Sequence, residues 1–337
     1  MSSTAPLPPS GRDPAAARRR RDLWILAGLF ALMLAGLAAL AAATGWRQTL
    51  QSFASLGLGQ VALLLLLSLV NYALRGLRWH LFANRLGLAT GLMQDLRHFI
   101  GGFAMSATPG RVGELVRMRW IERETGWAFE RTAPLVLIDR ASDLTAMAVL
   151  LALALGFSAG GIAGALPVIA LALAVAYVAT HPALLSRAAG YGYRITGAFK
   201  RLFVGVRRAS VSLAHFRSPA VLMIAGALGL AGWMAEGVAF HLLLVWMGAD
   251  VGLWSAVAIF VFSTLAGGLT GAPGGVGGAE AVMIGLLTAQ GVPLETSIPA
   301  TLIIRVTTLW FAIGLGLVVF PIAERLSLKA FHAHKTR

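Results

Sequence analysis

The chain of 337 residues contains no cysteine, which excludes disulfide bonds, thiolate chemistry and cysteine-based zinc sites. Its seven histidines include no His-x-x-x-His pair and no other spacing typical of metal ligands. We therefore expect that the protein uses neither a metal nor a cofactor.

Charged residues are also scarce, at 12% of the chain, whereas a typical soluble domain carries about 25%. Hydrophobic residues make up 58%, so the composition predicts an integral membrane protein. Acidic residues are the scarcest, with 14 Asp and Glu against 28 Lys and Arg. The basic residues mostly lie in short segments between apolar runs, a pattern that orients membrane proteins. We expect no nucleic-acid partner.

Six apolar runs approach or exceed the roughly 20 residues that cross a bilayer as a helix. They lie at 23–43, 59–82, 132–157, 162–180, 219–247 and 297–321. A cleaved signal peptide is the alternative for the first run, but this run is longer than the roughly 7–15 residues of a signal-peptide core. The single transmembrane domain then covers 23–325, between a disordered basic arm at 1–22 and a basic tail at 326–337.

Two further segments, 94–124 and 253–291, each contain a Pro-Gly break and a carboxylate in apolar surroundings. The residue before proline avoids the helical region and glycine tolerates unusual backbone angles, so each segment is predicted to break a helix. At membrane depth, freed peptide groups persist only inside protein or beside water. We therefore predict two re-entrant or broken hairpins that face each other across a polar site. Their breaks contain six residues that we also count among the candidate substrate-binding residues: Pro109, Gly110, Pro273, Gly274, Gly275 and Gly277.

Several predicted spans and hairpins also contain ionisable residues, which are costly in a membrane and usually mark function. The candidate substrate-binding residues are Arg75, Arg78, Arg111, Glu114, Arg117, Asp139, Arg140, Asp143, Glu236, Glu280 and Arg305. Helix amides at Gly110 and Gly274 are further candidates for binding an anion. No carboxylate adjoins Arg305, so its counter-charge must come from elsewhere, with Glu280 preferred and Glu114 the alternative.

Structural explanations of the same residues stay open. Arg78 could extend to the headgroups at the membrane surface. The first hairpin could be a kinked helix with a solvated charged face. Arg140 could pair with one of its neighbouring aspartates only to lock the helices together.

The segment 181–218 contains seven basic residues and no acidic one. Arg187, Arg194, Arg201 and Arg208 recur every seven residues among apolar side chains. This pattern predicts a basic amphipathic helix that lies on anionic lipid headgroups.

The chain also repeats itself at an offset of 161–165 residues. The matching landmarks are Gly87 with Gly248, Pro109 with Pro273, and Arg140 with Arg305. We interpret this as a duplication with repeat 1 at about 59–157 and repeat 2 at about 219–321. Counting spans from a cytoplasmic N-terminus places the hairpins on opposite sides, as in the inverted repeats of many transporters, and places the C-terminus in the cytoplasm.

Together these motifs resemble the lysylphosphatidylglycerol synthase transmembrane region, or flippase-like, family over about residues 23–325. They are Arg78-Trp79, the run from Pro109 to Arg117, the run from Asp139 to Asp143, the run from Pro273 to Gly277 with Glu280, and Arg305. The family more often has Glu at Asp139 and an aromatic residue at Ile304. The resemblance implies a bacterial-type inner-membrane protein that moves or handles a lipid. Some members carry a fused aminoacyl-transferase domain, and we expect none after Pro321.

The sequence therefore predicts an all-α polytopic membrane protein with about six spanning helices and two broken hairpins in an inverted repeat. The leading functional hypothesis is a lipid translocase rather than an enzyme, with a midplane site that binds a phospholipid or another anionic or amphiphilic lipid. One alternative is a membrane-embedded transferase for a lipid-linked substrate. Another is a scaffold that recruits a lipid-synthesis enzyme.

Overall fold

The computed structural model describes residues 53–106, 113–157, 165–196, 218–270 and 272–335, together with positions 28, 31, 51 and 216. All regular elements in these ranges are helical, which confirms the all-α prediction. The predicted basic arm, nearly all of the predicted span 23–43, the break at 109–111 and most of the linker after 196 lie outside the described residues. So do the side chains of Glu114 and Pro273.

Eleven α-helices are described, and we number them in chain order. The first five are α1 (Leu58–Leu86), α2 (Leu92–Gly101), α3 (Gly113–Thr125), α4 (Phe129–Phe157) and α5 (Ala165–Thr180). The others are α6 (Pro182–Thr196), α7 (Pro219–Trp246), α8 (Leu253–Leu269), α9 (Gly278–Ala289), α10 (Leu294–Arg305) and α11 (Phe311–Lys335). Two 3-10 turns, Gly102–Met105 and Pro273–Gly275, and one π-helical turn, Val306–Trp310, complete the described elements.

Three segments of the described chain are long and apolar enough to cross a membrane: Leu58–Leu86, Pro219–Trp246 and Leu294–Ala333. A helix of 29 residues such as α1 is about 43 Å long at 1.5 Å per residue, which exceeds the roughly 30 Å of a hydrocarbon core. The helix α4 has the same length but contains three ionisable residues near its middle. Shorter apolar helices accompany these elements, so the fold is that of a polytopic membrane protein.

Both predicted hairpins are broken helices. In the first, α2 tightens into the 3-10 turn Gly102–Met105, and the chain resumes as a helix at Gly113. In the second, α8 and α9 are joined through the turn Pro273–Gly275. Long helices flank each hairpin, so the order of elements is the same in 58–157 and 219–335. A duplication would produce this order, and the direction in which each half crosses the bilayer stays a prediction.

Gly275 shows why the second break requires glycine. Its φ of 68° lies in the left-handed region, which side chains with a Cβ rarely adopt. A Cβ there would also lie 3.0 Å from the backbone carbon of Gly267 on α8. The turn can therefore pack directly against the preceding helix only because Gly275 has no side chain.

The last helix continues further than the sequence predicts. The predicted span ends at residue 321, whereas α11 continues through Pro321 to Lys335. Contacts with the first hairpin explain the difference: Glu324 accepts hydrogen bonds from Trp120 Nε1 at 2.7 Å and from Arg123 Nη1 at 2.8 Å. These bonds hold the last turns of α11 against α3, and so join the final helix to the first hairpin.

The helix α6 covers the beginning of the predicted amphipathic linker. Arg187, Tyr191 and Arg194 are exposed on it, as expected for a helix that lies on a surface. That this segment binds anionic lipid headgroups stays a prediction.

Candidate functional site

A cavity of about 420 Å³ lies between the two 3-10 turns, bordered mainly by α1, α4, α5, α7, α8 and the α10–α11 junction. Among the described residues, its charged lining consists of Arg75, Arg117, Arg140, Asp143, Glu236 and Arg305. All six are candidates from the sequence, and they come from five different helices. Gly274 also lines the cavity.

Two arginines of α1 hold the two aspartates of α4. Arg78 Nη2 lies 2.6 Å from Asp139 Oδ1 and 2.7 Å from Asp143 Oδ1, while Arg75 Nη2 lies 2.6 Å from Asp143 Oδ2. The arginines are three residues apart and the aspartates four apart, so each pair occupies one face of its helix. Trp233 Nε1 on α7 donates a further hydrogen bond to Asp143 at 3.3 Å. The network therefore ties α1, α4 and α7 together.

Arg78 does not extend to the headgroups, because its side chain is fully buried inside this network. A charged group that is buried requires a paired, hydrogen-bonded partner, and Arg78 bridges two carboxylates. The alternative that places this side chain at the membrane surface is therefore wrong. Trp79, the other half of the Arg-Trp motif, is buried beside it.

Arg140 has a different role from the one that its position beside Asp139 suggests. Its guanidinium is 3.5 Å from Asp143 Oδ2 and 3.9 Å from Asp139 Oδ2, longer than the distances from Arg78. The Arg140 side chain is 26% exposed and lines the cavity. The link between α1 and α4 thus depends on Arg75 and Arg78, and Arg140 extends toward the cavity.

In the second half of the chain, Arg305 is bound to the break of the second hairpin. Its Nε lies 2.5 Å from Glu280 Oε1, and its Nη2 donates to the Gly274 carbonyl at 2.8 Å. Glu280 is the counter-charge that the sequence analysis preferred over Glu114. The other Glu280 oxygen accepts a hydrogen bond from the Gly277 amide at 2.6 Å. The Gly277 amide at the N-terminus of α9 is therefore capped by a carboxylate of the chain itself. That the Gly274 amide binds an anion stays a prediction.

The π-helical turn Val306–Trp310 directly follows Arg305. Such turns are frequent at functional sites because they free backbone groups from the helical pattern. The Tyr72 hydroxyl on α1 donates a hydrogen bond to the Thr308 carbonyl within this turn, and both residues line the cavity. Sequence reasoning missed Tyr72. Its spacing of three residues before Arg75 was the available signal, since it places both on one face of α1.

Among the described residues of the first hairpin, Arg117 is the cation that lines the cavity. Its guanidinium carbon lies 4.4 Å from the centroid of the Phe99 ring and 5.4 Å from that of Trp79. The residue is 2% exposed, and desolvated cation–π contacts of this kind are favourable. Gly102 permits the approach, because a Cβ there would lie 2.2 Å from Arg117 Nε.

Glu236 on α7 is the remaining predicted carboxylate in the cavity. It is 4% exposed and lies one helical turn after Trp233. Unlike Asp139, Asp143 and Glu280, it forms no ion pair with any residue that the structure describes.

Comparison with known proteins gives one family and two relatives. The family described as "Lysylphosphatidylglycerol synthase TM region" matches residues 24–316. One curated relative, a UPF0104 membrane protein of Methanothermobacter thermautotrophicus, is 30% identical over 123 residues, which is 36% of this chain and 35% of the relative. Another UPF0104 membrane protein of that organism is 28% identical over 89 residues, 26% of each chain. The aligned parts thus span only about a third and a quarter of the relatives' lengths.

The family match covers most of the chain and nearly all of its described helices. Its match includes both broken hairpins and every charged residue that lines the cavity. The chain is therefore an integral membrane protein that belongs to the lysylphosphatidylglycerol synthase transmembrane region family.

Proposed function

We propose that the protein is a lipid translocase, which moves an anionic or amphiphilic membrane lipid between leaflets without a covalent step. The observation that carries this proposal is the division of one cavity into a charged wall and an apolar wall that reaches the outer surface of the protein. The family is named for a lipid synthase, which also favours a lipid substrate.

The charged wall favours an anionic headgroup. Nine described ionisable residues line the cavity or pair directly within its ion-pair networks. They are five arginines, Arg75, Arg78, Arg117, Arg140 and Arg305, and four carboxylates, Asp139, Asp143, Glu236 and Glu280. Arginine is therefore the commonest ionisable residue of this described wall, and guanidinium groups form strong hydrogen bonds to phosphate oxygens.

The apolar wall suits an acyl chain. It is formed by Leu144 and Met147 of α4, Leu171, Ala172 and Val175 of α5, and Phe260, Leu265 and Leu269 of α8. Leu171, Val175 and Leu269 are 47%, 45% and 63% exposed although they line the cavity. The cavity therefore borders the outer surface of α5 and α8, where lipid would surround a membrane protein. A water-soluble anion has no acyl chain that could pack against such a wall.

Translocation through this cavity would lower the main barrier to lipid movement. A charge at the centre of a bilayer costs about 2.5–3.5 kcal/mol on insertion scales, and more in simulations. In our proposal the headgroup crosses beside the arginines while the acyl chains remain in hydrocarbon. Hairpins that enter from opposite sides would open the site alternately to each leaflet, as in transporters built from inverted repeats.

We further propose that the protein lies in a bacterial-type inner membrane with both termini in the cytoplasm. The basic segments at 1–22, 97–131, 181–218 and 326–337 support this orientation, because cytoplasmic loops carry an excess of Lys and Arg.

Reconstitution tests the proposal. The purified full chain is placed in vesicles of phosphatidylethanolamine and phosphatidylglycerol that carry a fluorescent phosphatidylglycerol, and reduction of the probe from outside reports its movement between leaflets. We expect faster movement than in vesicles without protein, and its loss in Arg140→Ala. Arg85→Ala, an exposed arginine at the end of α1, is the matched control and should move lipid normally.

Each alternative function gives a different result. Covalent change of the lipid would indicate a transferase, although Asp139 and Asp143, its candidate bases, are both held by Arg78. Folded protein that neither moves nor modifies lipid would indicate a scaffold. Either result would contradict the proposal.

A further inference from the structure

Glu236 differs from the other buried carboxylates of the site because it has no ion pair with a described arginine. Asp139, Asp143 and Glu280 each have an oxygen within 2.7 Å of a guanidinium nitrogen. Glu236 is as deeply buried and lines the same cavity, yet it forms no ion pair with the residues that the structure describes. A buried carboxylate without a paired cation is costly when ionised, and a proton relieves that cost.

Three of the helices packed against α7 bring titratable groups into the cavity that Glu236 lines. They contribute Tyr72 and Arg75 from α1, Arg140 and Asp143 from α4, and Arg305 from α10, and Arg117 of α3 also lines the cavity. The fourth neighbouring helix, α8, contains no ionisable residue. Among these cations, Arg75 and Arg305 are each paired with another carboxylate, Arg75 with Asp143 at 2.6 Å and Arg305 with Glu280 at 2.5 Å.

Protonation of another carboxylate would disrupt the site. A proton on Asp143 would remove the partner of Arg75 and one partner of Arg78, and a proton on Glu280 would leave Arg305 without its ion pair. A buried charge that loses its partner is strongly destabilising. A proton on Glu236 breaks no ion pair among the described residues, so this carboxylate can change its charge while the networks stay intact.

We infer that Glu236 is a proton-binding site, and that a proton binds there together with the anionic headgroup. This inference rests on the proposed function, and it names the proton as the ion that is coupled to lipid movement. Protonation of Glu236 raises the net charge of the site by one. The protonated site attracts an anion more strongly, and by reciprocal linkage a bound anion favours the proton.

The charge balance also sets the direction of coupling. A site that holds one proton and one singly charged headgroup has the same net charge as the empty site with Glu236 ionised. The proton is taken from water on the loading side and released on the other side when the headgroup leaves. Proton and lipid therefore move in the same direction, as in a symporter. The scheme excludes antiport of a proton and a lipid.

Proton uptake on binding is the first test. The full chain in weakly buffered detergent near neutral pH is titrated with a short-chain phosphatidylglycerol, while an indicator dye reports pH and intrinsic fluorescence reports binding. We expect net proton uptake, up to one proton per bound lipid, in the wild type and none in Glu236→Gln, which imitates the protonated state and should bind the probe at least as tightly. Glu295→Gln, an exposed glutamate, is the control and should behave as wild type.

A pH gradient across reconstituted vesicles is the second test. One proton per lipid couples one pH unit to about a tenfold ratio of labelled lipid between the leaflets. Wild type should approach this ratio, with lipid accumulating in the leaflet opposite the acidic side, and Glu236→Gln should equilibrate the probe without any response to the gradient. Glu236→Asp retains a carboxylate and should retain the response, which separates loss of the proton site from loss of folding.

Several results would overturn the inference. Binding of the probe by wild type without proton uptake is one. Equal proton uptake in Glu236→Gln is another, and an unchanged gradient response in that variant is a third. Absence of any lipid movement by wild type would contradict the proposed function instead, since the binding titration does not depend on movement.

Discussion

Two buried arginines of this site differ in the number of carboxylates that pair with them. Arg78 bridges Asp139 and Asp143, so the loss of either aspartate would leave it one partner. Arg305 depends on one carboxylate, Glu280, and one backbone carbonyl, that of Gly274. Removing one member of a buried pair leaves an uncompensated charge, which costs about 3–5 kcal/mol. The Arg305–Glu280 pair is therefore where a substitution separates stability from function most clearly.

We predict that Arg305→Ala abolishes lipid movement and lowers the free energy of unfolding by about 3–5 kcal/mol, because Glu280 stays buried without its cation. The double variant Arg305→Ala with Glu280→Gln should recover much of that stability, since no lone charge remains, and should still move no lipid. Thermal unfolding of the purified variants in detergent measures the first effect, and the vesicle assay measures the second.

A double-mutant cycle of the two substitutions measures the interaction energy between Arg305 and Glu280. If the two substitutions lowered stability additively, the pair would not be a coupled unit. If Arg305→Ala moved lipid at the wild-type rate, Arg305 would have no part in the site.

At the scale of elements, the second break is a turn built from glycines. Gly274, Gly275 and Gly277 all have positive φ, at 61°, 68° and 86°. The turn carries the carbonyl that receives Arg305 and the amide that receives Glu280. Any shift of this backbone would therefore move both partners of the central ion pair.

We predict that Gly275→Ala destabilises the protein by about 1–3 kcal/mol, because it forces a strained backbone conformation and places a Cβ against Gly267. Lipid movement should fall with it, since Gly274 and Glu280 would be displaced. Gly285→Ala is the control: this glycine lies in the exposed interior of α9, with nothing within 4 Å of a Cβ, and alanine favours a helix. Equal unfolding temperatures for the two variants would contradict this account of the turn.

Local signals explain which elements could be predicted from the sequence. Proline and glycine affect the backbone conformation of adjacent residues, so the break around Gly274 could be predicted from the sequence. Apolar runs likewise predicted the long helices. The pairing of Arg78 with two aspartates was not visible, because it depends on how α1 packs against α4. Nor was the π-helical turn after Arg305. The continuation of α11 past Pro321 depends on Glu324 reaching across to the first hairpin, a contact about 200 residues apart in sequence.

At the scale of the whole molecule, the halves of the chain contribute complementary parts to one cavity. The first half contributes Arg75, Arg117, Arg140 and Asp143, and the second contributes Glu236 and Arg305. The sequence identified these residues because ionisable groups are rare in apolar runs. It could not separate residues that line the cavity from those that only hold helices together, because both kinds are buried.

We predict that the two breaks face opposite sides of the membrane, as an inverted duplication requires. The chain has no native cysteine, so single cysteines report without background. Ala107→Cys and Ala272→Cys should react with an impermeant thiol reagent from opposite sides of oriented vesicles. Reaction of both from one side only would contradict the inverted arrangement.

The central claim, that lipid passes through this cavity, is tested most directly by blocking it. Leu171 and Leu173 lie on α5 with similar exposure, 47% and 40%, but only Leu171 lines the cavity. Each is replaced by cysteine and labelled to completion with a bulky maleimide before lipid movement is measured in vesicles. We predict that the label on Leu171→Cys reduces movement to the rate of vesicles without protein, while the label on Leu173→Cys leaves it unchanged. Undiminished movement with a fully labelled Leu171→Cys would contradict the claim.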